Sequence, residues 1–152
     1  MKPITILFSL VLLLASITVN AQSLSTKVSA NIPFSFVVGS NSLPAGEYDL
    51  GNRNLPRNVL VVQNIENFKS LAGLTQPLYK NGGAKETCLI FNRYKDDTGD
   101  YIYFLSQVWI VGENSGVEFV KSRVEREAAK RAIKRDMITL VVPTKPTTGK
   151  AD

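Results

Sequence analysis

Three carboxylates fall within five residues at Asp96, Asp97 and Asp100, a density of oxygen donors that suits a hard divalent cation such as calcium. The surrounding pattern departs from an EF-hand loop. Counted from Asp96, the sixth place is Tyr101 where glycine is required, and the twelfth is Gln107 where glutamate is required. A solvated hairpin tip is therefore the favoured reading, with a metal site at Asp96, Asp97 and Asp100 as the alternative. As a catalytic pair for glycosidic bonds, neighbouring carboxylates on one loop lack the fixed separation that this chemistry needs.

A second cluster is aromatic. Tyr101, Tyr103 and Trp109 recur at odd positions just after the acidic stretch, and Tyr94 lies just before it. On a strand the odd positions share one face. Tyr94, Tyr101, Tyr103 and Trp109 are thus expected to line a common surface able to stack on sugar rings or other planar ligands. The competing reading covers that face with a helix or a second sheet.

Other chemistry is excluded by what the chain lacks. It contains no histidine, which removes serine–histidine and cysteine–histidine catalysis, the commonest zinc sites and a proton shuttle near neutral pH. Cys88, the single cysteine, stands among Thr87, Leu89 and Ile90 in an apolar stretch and reads as an inert buried thiol, because no sequence neighbour supplies the electropositive setting of a reactive one. No cofactor motif is present.

These residues must be positioned by strands. Residues 28–36 alternate, with Val28, Ala30, Ile32, Phe34 and Phe36 on one side and polar residues or Pro33 on the other, the period of a half-buried strand. Leu43-Pro44-Ala45-Gly46 suits a type I turn, followed by a strand over 47–50. Val59 to Val62 reads as a strand covered on both faces, and 68–75 as a weaker one. Residues 86–94 and 101–111 flank a polar, glycine-containing loop and read as a hairpin. A short strand is expected at 117–120. The period then changes: Ser122 and Glu125 match a capping box, and Val124, Ala128 and Ala132, with Ala129 and Ile133, form an apolar stripe on a helix reaching about Arg135. Strand composition returns at 137–142. The expected architecture is mainly β: an antiparallel β-sandwich or partly closed barrel with one C-terminal α-helix followed by a final strand.

The amino terminus places Lys2 before an apolar run over 4–14 and closes on Val19-Asn20-Ala21, the pattern of a secretory signal peptide cleaved after Ala21. The run is short for a membrane span, and no second apolar segment of spanning length follows. The domains are therefore read as a signal peptide at 1–21, a single β-rich domain at 22–142 and a disordered tail at 143–152. With one cysteine, the exported domain must hold itself by packing, without an internal disulfide. The chain carries 18 basic and 13 acidic residues. Residues 121–136 hold seven of the basic ones (Lys121, Arg123, Arg126, Lys130, Arg131, Lys134 and Arg135) against Glu125, Glu127 and Asp136, so the basicity is concentrated in one segment.

Several segments also carry a resemblance. Asn31 through Phe36, then Leu43-Pro44-Ala45-Gly46-Glu47-Tyr48, then Phe91, Arg93 and Tyr94, then Tyr103 to Trp109, and finally Lys121-Ser122-Arg123 with Glu125-Arg126-Glu127 resemble a family of small exported proteins of acidobacteria and related soil bacteria. The loop from Lys95 to Asp100 is longer than that family's pattern. The resemblance carries over no reaction, ligand or catalytic residue. The resulting expectation is a non-enzymatic binding or structural domain, periplasmic or extracellular, whose partner is an envelope component or a glycan and not nucleic acid. Two alternatives stand beside it: glycan or small-ligand binding through the aromatic face, and an enzyme of unusual mechanism using carboxylates.

Overall fold

The computed structural model describes residues 27–52 and 55–143. The expected leader, residues 1–21, lies outside the described residues, as does the expected tail apart from Pro143. The described residues form strands β1 (Val28–Ile32), β2 (Phe36–Val38), β3 (Asn41–Leu43), β4 (Gly46–Gly51), β5 (Val59–Asn64), β6 (Ser70–Tyr79), β7 (Cys88–Lys95), β8 (Tyr101–Trp109) and β9 (Ser115–Phe119), helix α1 (Arg123–Arg131) and strand β10 (Lys134–Val141). The architecture is mainly β, with one helix near the C-terminus followed by a final strand, and the sheet does not close into a barrel. The expected strand over 28–36 is two strands, because Pro33 has no N–H to continue a ladder and the chain bends at Phe34.

One layer runs β1-β4-β5-β6, all antiparallel. β6 serves both layers, pairing with β5 through Ser70 to Leu74 and with β9 through Thr75 to Tyr79. The second layer continues β9-β8-β7-β10, and β2 joins β8 by a single parallel bridge, Val37 to Phe104, carrying β3 with it. Side chains of both layers meet in one core that includes Ile32, Tyr48, Leu50 and Val62 on one side and Leu89, Phe91, Leu105 and Val108 on the other. Phe36 bridges them edge-on, its ring 5.0 Å from Tyr48 and 5.7 Å from Phe91. Each such fully buried side chain contributes about 1.5–3 kcal/mol, which is how the domain holds without a disulfide. The turn before β4 is fixed by Tyr48, whose buried ring directs its hydroxyl to donate to the Pro44 carbonyl at 2.7 Å.

The hairpin of β7 and β8 sets the two faces of the second layer. Lys95 opposes Tyr101, Arg93 opposes Tyr103 and Phe91 opposes Leu105, but Ile90 opposes Gln107 and Cys88 opposes Trp109. Ser106 is thus an extra residue on β8, a β-bulge. Opposed residues share a face, so the bulge inverts the in–out parity of everything after it. The inner face carries Tyr101, Tyr103, Leu105 and then Val108. The outer face carries Ile102, Phe104 and then Gln107 and Trp109. β10 extends both faces, with Lys134, Asp136, Ile138 and Leu140 on the inner side.

Helix α1 begins at Ser122, whose Oγ accepts from the Glu125 N–H at 3.1 Å. Its last residue is Arg131, capped by Ala132 and four residues short of the expected end at about Arg135, because the chain from Lys134 is drawn into pairing with β7. The expected Val124–Ala128–Ala132 stripe is corrected as well. Val124 and Ile133 are 45% and 67% exposed, and the one buried residue of the helix is Glu125.

Candidate functional site

The four aromatic residues expected on one surface are divided two and two. Tyr101 and Tyr103 lie on the inner face, at the end where the sandwich opens. Tyr94, opposite Ile102, and Trp109, opposite Cys88, lie on the outer face, separated by about 20 Å along the sheet at the usual rise of roughly 3.3 Å per residue. The correction follows from the bulge at Ser106 for Trp109. For Tyr94 it follows from hairpin pairing that sets it across from an even-numbered residue. Trp109 is 9% exposed. Its ring lies on Gly116, where an added Cβ would stand 2.7 Å from it, and its Nε1 donates to Gln107 Oε1 at 2.9 Å. With Ala84 and Cys88 it forms a satellite core, and burial, reinforced by the negative charge of Glu86, pushes the Cys88 thiol up.

At the open end of the inner face, the core grades into a mixed aromatic and charged surface. Successive rows across β10, β7 and β8 read Ile138–Phe91–Leu105, Asp136–Arg93–Tyr103 and Lys134–Lys95–Tyr101. Phe34, in the bend after β1, stacks on Tyr103 at 4.4 Å and meets Phe91 edge-on at 5.1 Å. Tyr103 in turn stands 6.4 Å from Tyr101. The result is an aromatic ladder from core to surface, with Phe34, Tyr103 and Tyr101 all half-buried. The Arg93 guanidinium lies 4.5 Å from the Tyr101 ring centre and the Lys95 ammonium 5.5 Å, both in the range of cation–π attraction.

Arg93 is fixed in place by Asp136. Its Nε donates to Oδ1 at 2.7 Å and its Nη2 to Oδ2 at 2.6 Å, a two-pronged pair. Lys134 adds a third contact at 3.4 Å. The Arg93 hydrogen bond, with help from Lys134, holds the Asp136 carboxyl down at about 2, and the same pair raises the Arg93 value. Sequence reading missed Arg93, Asp136 and Phe34 because they come from three separate strands or bends, and only the pairing of β10 with β7 brings Asp136 beside Arg93.

The outer face at the same end holds a different group. Glu125 of α1 is 5% exposed, and its Oε1 accepts from Asn92 Nδ2 at 2.8 Å and from the Tyr94 hydroxyl at 3.1 Å. In a capping box this side chain would return to the helix's own first N–H; here it reaches across to β7 and ties the helix to the sheet. Burial first, then the charge and hydrogen bond of Glu125, push the Tyr94 hydroxyl up to about 12. Beside this network lies an open cleft of about 310 Å³, bordered by Asn92, Tyr94, Lys121, Ala129, Arg135, Asp136 and Met137. The sequence signal was present in the i, i+3, i+7 spacing of Ser122, Glu125 and Ala129, a face on which a carboxylate is out of place.

The acidic loop is accounted for internally. Asp96 Oδ1 accepts from the Thr98 N–H at 3.0 Å, the Thr98 hydroxyl at 2.7 Å and the Asp100 N–H at 2.9 Å. These hydrogen bonds, led by Thr98, lower the Asp96 value. Asp97 and Asp100 are exposed. Among the described residues no three acidic or cysteine side chains converge into a cluster that could hold a metal ion, and Asp96 braces its own hairpin tip. Comparison with family models, characterised proteins and solved structures finds no match to this chain. Among the described residues no helix is long and apolar enough to cross a membrane.

Proposed function

We propose that this chain is an exported, non-catalytic binding domain of the cell envelope, whose ligand surface is the Tyr101 end of the inner sheet face. The observation that carries the reading is the Phe34–Tyr103–Tyr101 ladder, which continues the core outward to a half-exposed ring flanked by two cations. Phe34 and Tyr103 pack against the core, and Tyr101 carries the row of rings beyond it. Rings of this kind stack on the apolar faces of sugars and other flat ligands, and Arg93, oriented by Asp136, offers donors to hydroxyl or carboxylate groups. The reading supports a glycan or small polar ring compound as ligand. Export rests on the leader pattern at residues 1–21, and the non-catalytic character on the lack of histidine in the chain.

The test is titration with a panel of neutral and acidic oligosaccharides, followed by calorimetry and by the tyrosine ring resonances. Tyr101→Ala is expected to weaken the best ligand by roughly two- to tenfold, since a stacked aromatic contact is worth about 0.5–1.5 kcal/mol, while Trp109 emission stays unchanged because that ring is on the opposite face. A ligand whose binding perturbs Trp109 and ignores Tyr101→Ala would move the site elsewhere and sink this assignment.

A further inference from the structure

We infer that the surface made by α1 and the start of β10 docks on an anionic lipid surface. The first ground is charge. Of the three acids in residues 121–136, Glu125 is buried and hydrogen-bonded to Asn92 and Tyr94, Glu127 is paired with Lys130 at 3.0 Å, and Asp136 is paired with Arg93 and Lys134. The fold thereby consumes every carboxylate of the segment. Lys121, Arg123, Arg126, Arg131 and Arg135 remain exposed with no ion pair among the described residues. Arg126 and Arg131 donate only to the carbonyls of Lys121 and Glu127.

The second ground is the apolar side chains among those cations. Val124, Ile133 and Met137 are 45%, 67% and 66% exposed. Part of this surface is continuous across the two elements: Lys121 of the approach to α1, Ala129 of α1, and Arg135 and Met137 of β10 border one cleft, together with Asn92, Tyr94 and the ion-paired Asp136. A cationic surface carrying aliphatic tips matches the boundary between lipid headgroups and acyl chains.

The choice of lipid over a soluble polyanion rests on composition. Residues 120–142 contain no aromatic side chain, whereas surfaces for single-stranded nucleic acids interleave aromatic rings with their cations for stacking, and sugar-binding faces likewise use rings. Aliphatic tips give such polymers nothing to stack on but do enter the acyl boundary. The small apolar area makes attachment charge-led, reversible and sensitive to salt. The inference is independent of the Tyr101 surface, which lies on the other face of the sheet.

The full chain is sedimented with vesicles of phosphatidylglycerol and phosphatidylcholine in equal parts, and with vesicles of phosphatidylcholine alone. Binding to the anionic vesicles is expected to exceed binding to the neutral ones and to fall as salt is raised. Arg131→Gln and Arg135→Gln are each expected to lower it about fivefold, and Ile133→Ser with Met137→Ser to lower it again at unchanged charge. Every arm carries the same amino terminus, so any contribution of the apolar run at 4–14 cancels in the ratio of variant to parent. All four positions are exposed, and circular dichroism verifies the fold of each variant; the salt dependence of the parent decides should one fail to fold. Equal sedimentation with neutral vesicles, or indifference to the arginine substitutions, would overturn the inference. So would binding to heparin as strong as to anionic vesicles with no effect of Ile133→Ser and Met137→Ser, which would assign the surface to a soluble polyanion.

Discussion

Adjacent residues of β7 live in opposite electrostatic worlds. Asn92 and Tyr94 turn toward α1, where they hold the carboxylate of Glu125 out of water with neutral donors. Arg93 and Lys95 turn toward the open end, where a full ion pair with Asp136 stands at side-chain exposures of 25% and 28%. Each arrangement suits its medium. A buried carboxylate is best held by donors that bring no second charge to desolvate, since burying both members of an ion pair costs more than their attraction returns unless the geometry is very good. An ion pair at the rim keeps much of its hydration, and its value is in orienting Arg93 over Tyr101 more than in stability. The inner face at this end thus keeps its charges at a hydrated rim, whereas the outer face anchors the helix.

The sharpest way to break this contrast is to remove the two carboxylates separately. Glu125→Ala leaves two buried donors without an acceptor, and is expected to cost about 2–4 kcal/mol from the desolvation of those groups. Chemical denaturation should show this as a lower midpoint at unchanged slope. Asp136→Ala should shift the midpoint far less, while loosening Arg93 and weakening any ligand held at Tyr101. Equal losses in the two variants would erase the distinction between the faces.

A smaller effect is expected in alkali. An unfolded tyrosine titrates near 10, and Tyr94 titrates at about 12 in the folded chain. The raised value means that the folded state holds the proton more tightly, so the contribution is complete below about pH 10 and is lost as pH rises through about 12. Tyr94→Phe should flatten that alkaline decline in a melting series. A decline of the same steepness in the variant would show that Tyr94 does not set it.

The smallest effect lies at the acid end. Asp136 is held down at about 2 from an ordinary 3.8, so its contribution is present above about pH 4 and is lost as pH falls through about 2. Asp136→Asn should remove that part of the acid dependence, and NMR titration of the carboxyl would read the value directly.

Much of this was legible from local patterns. Alternation at Val28, Ala30 and Ile32 became buried positions of β1; Leu60, Val61 and Val62 are all buried as expected of a doubly covered strand; and Ser122 does cap α1. The aromatic surface was legible only in part. Tyr101 and Tyr103 stay together because no irregularity separates them, whereas Trp109 is carried to the other face by one extra residue at Ser106. A period of two transmits parity perfectly until a bulge occurs, and then inverts every position beyond it.

The chain by itself determined the rough extent of most strands, though neither the break at Pro33 nor the short β3, together with the single late helix and the concentration of positive charge in residues 121–136, because turn residues, side-chain period and charge are properties of short stretches. Tertiary structure alone decided that Glu125 would bind β7, that Asp136 would meet Arg93, and that the four rings would part company. Those outcomes depend on which strand lies beside which and in what register. Register is fixed by the summed burial of both partners, a quantity that no single stretch contains.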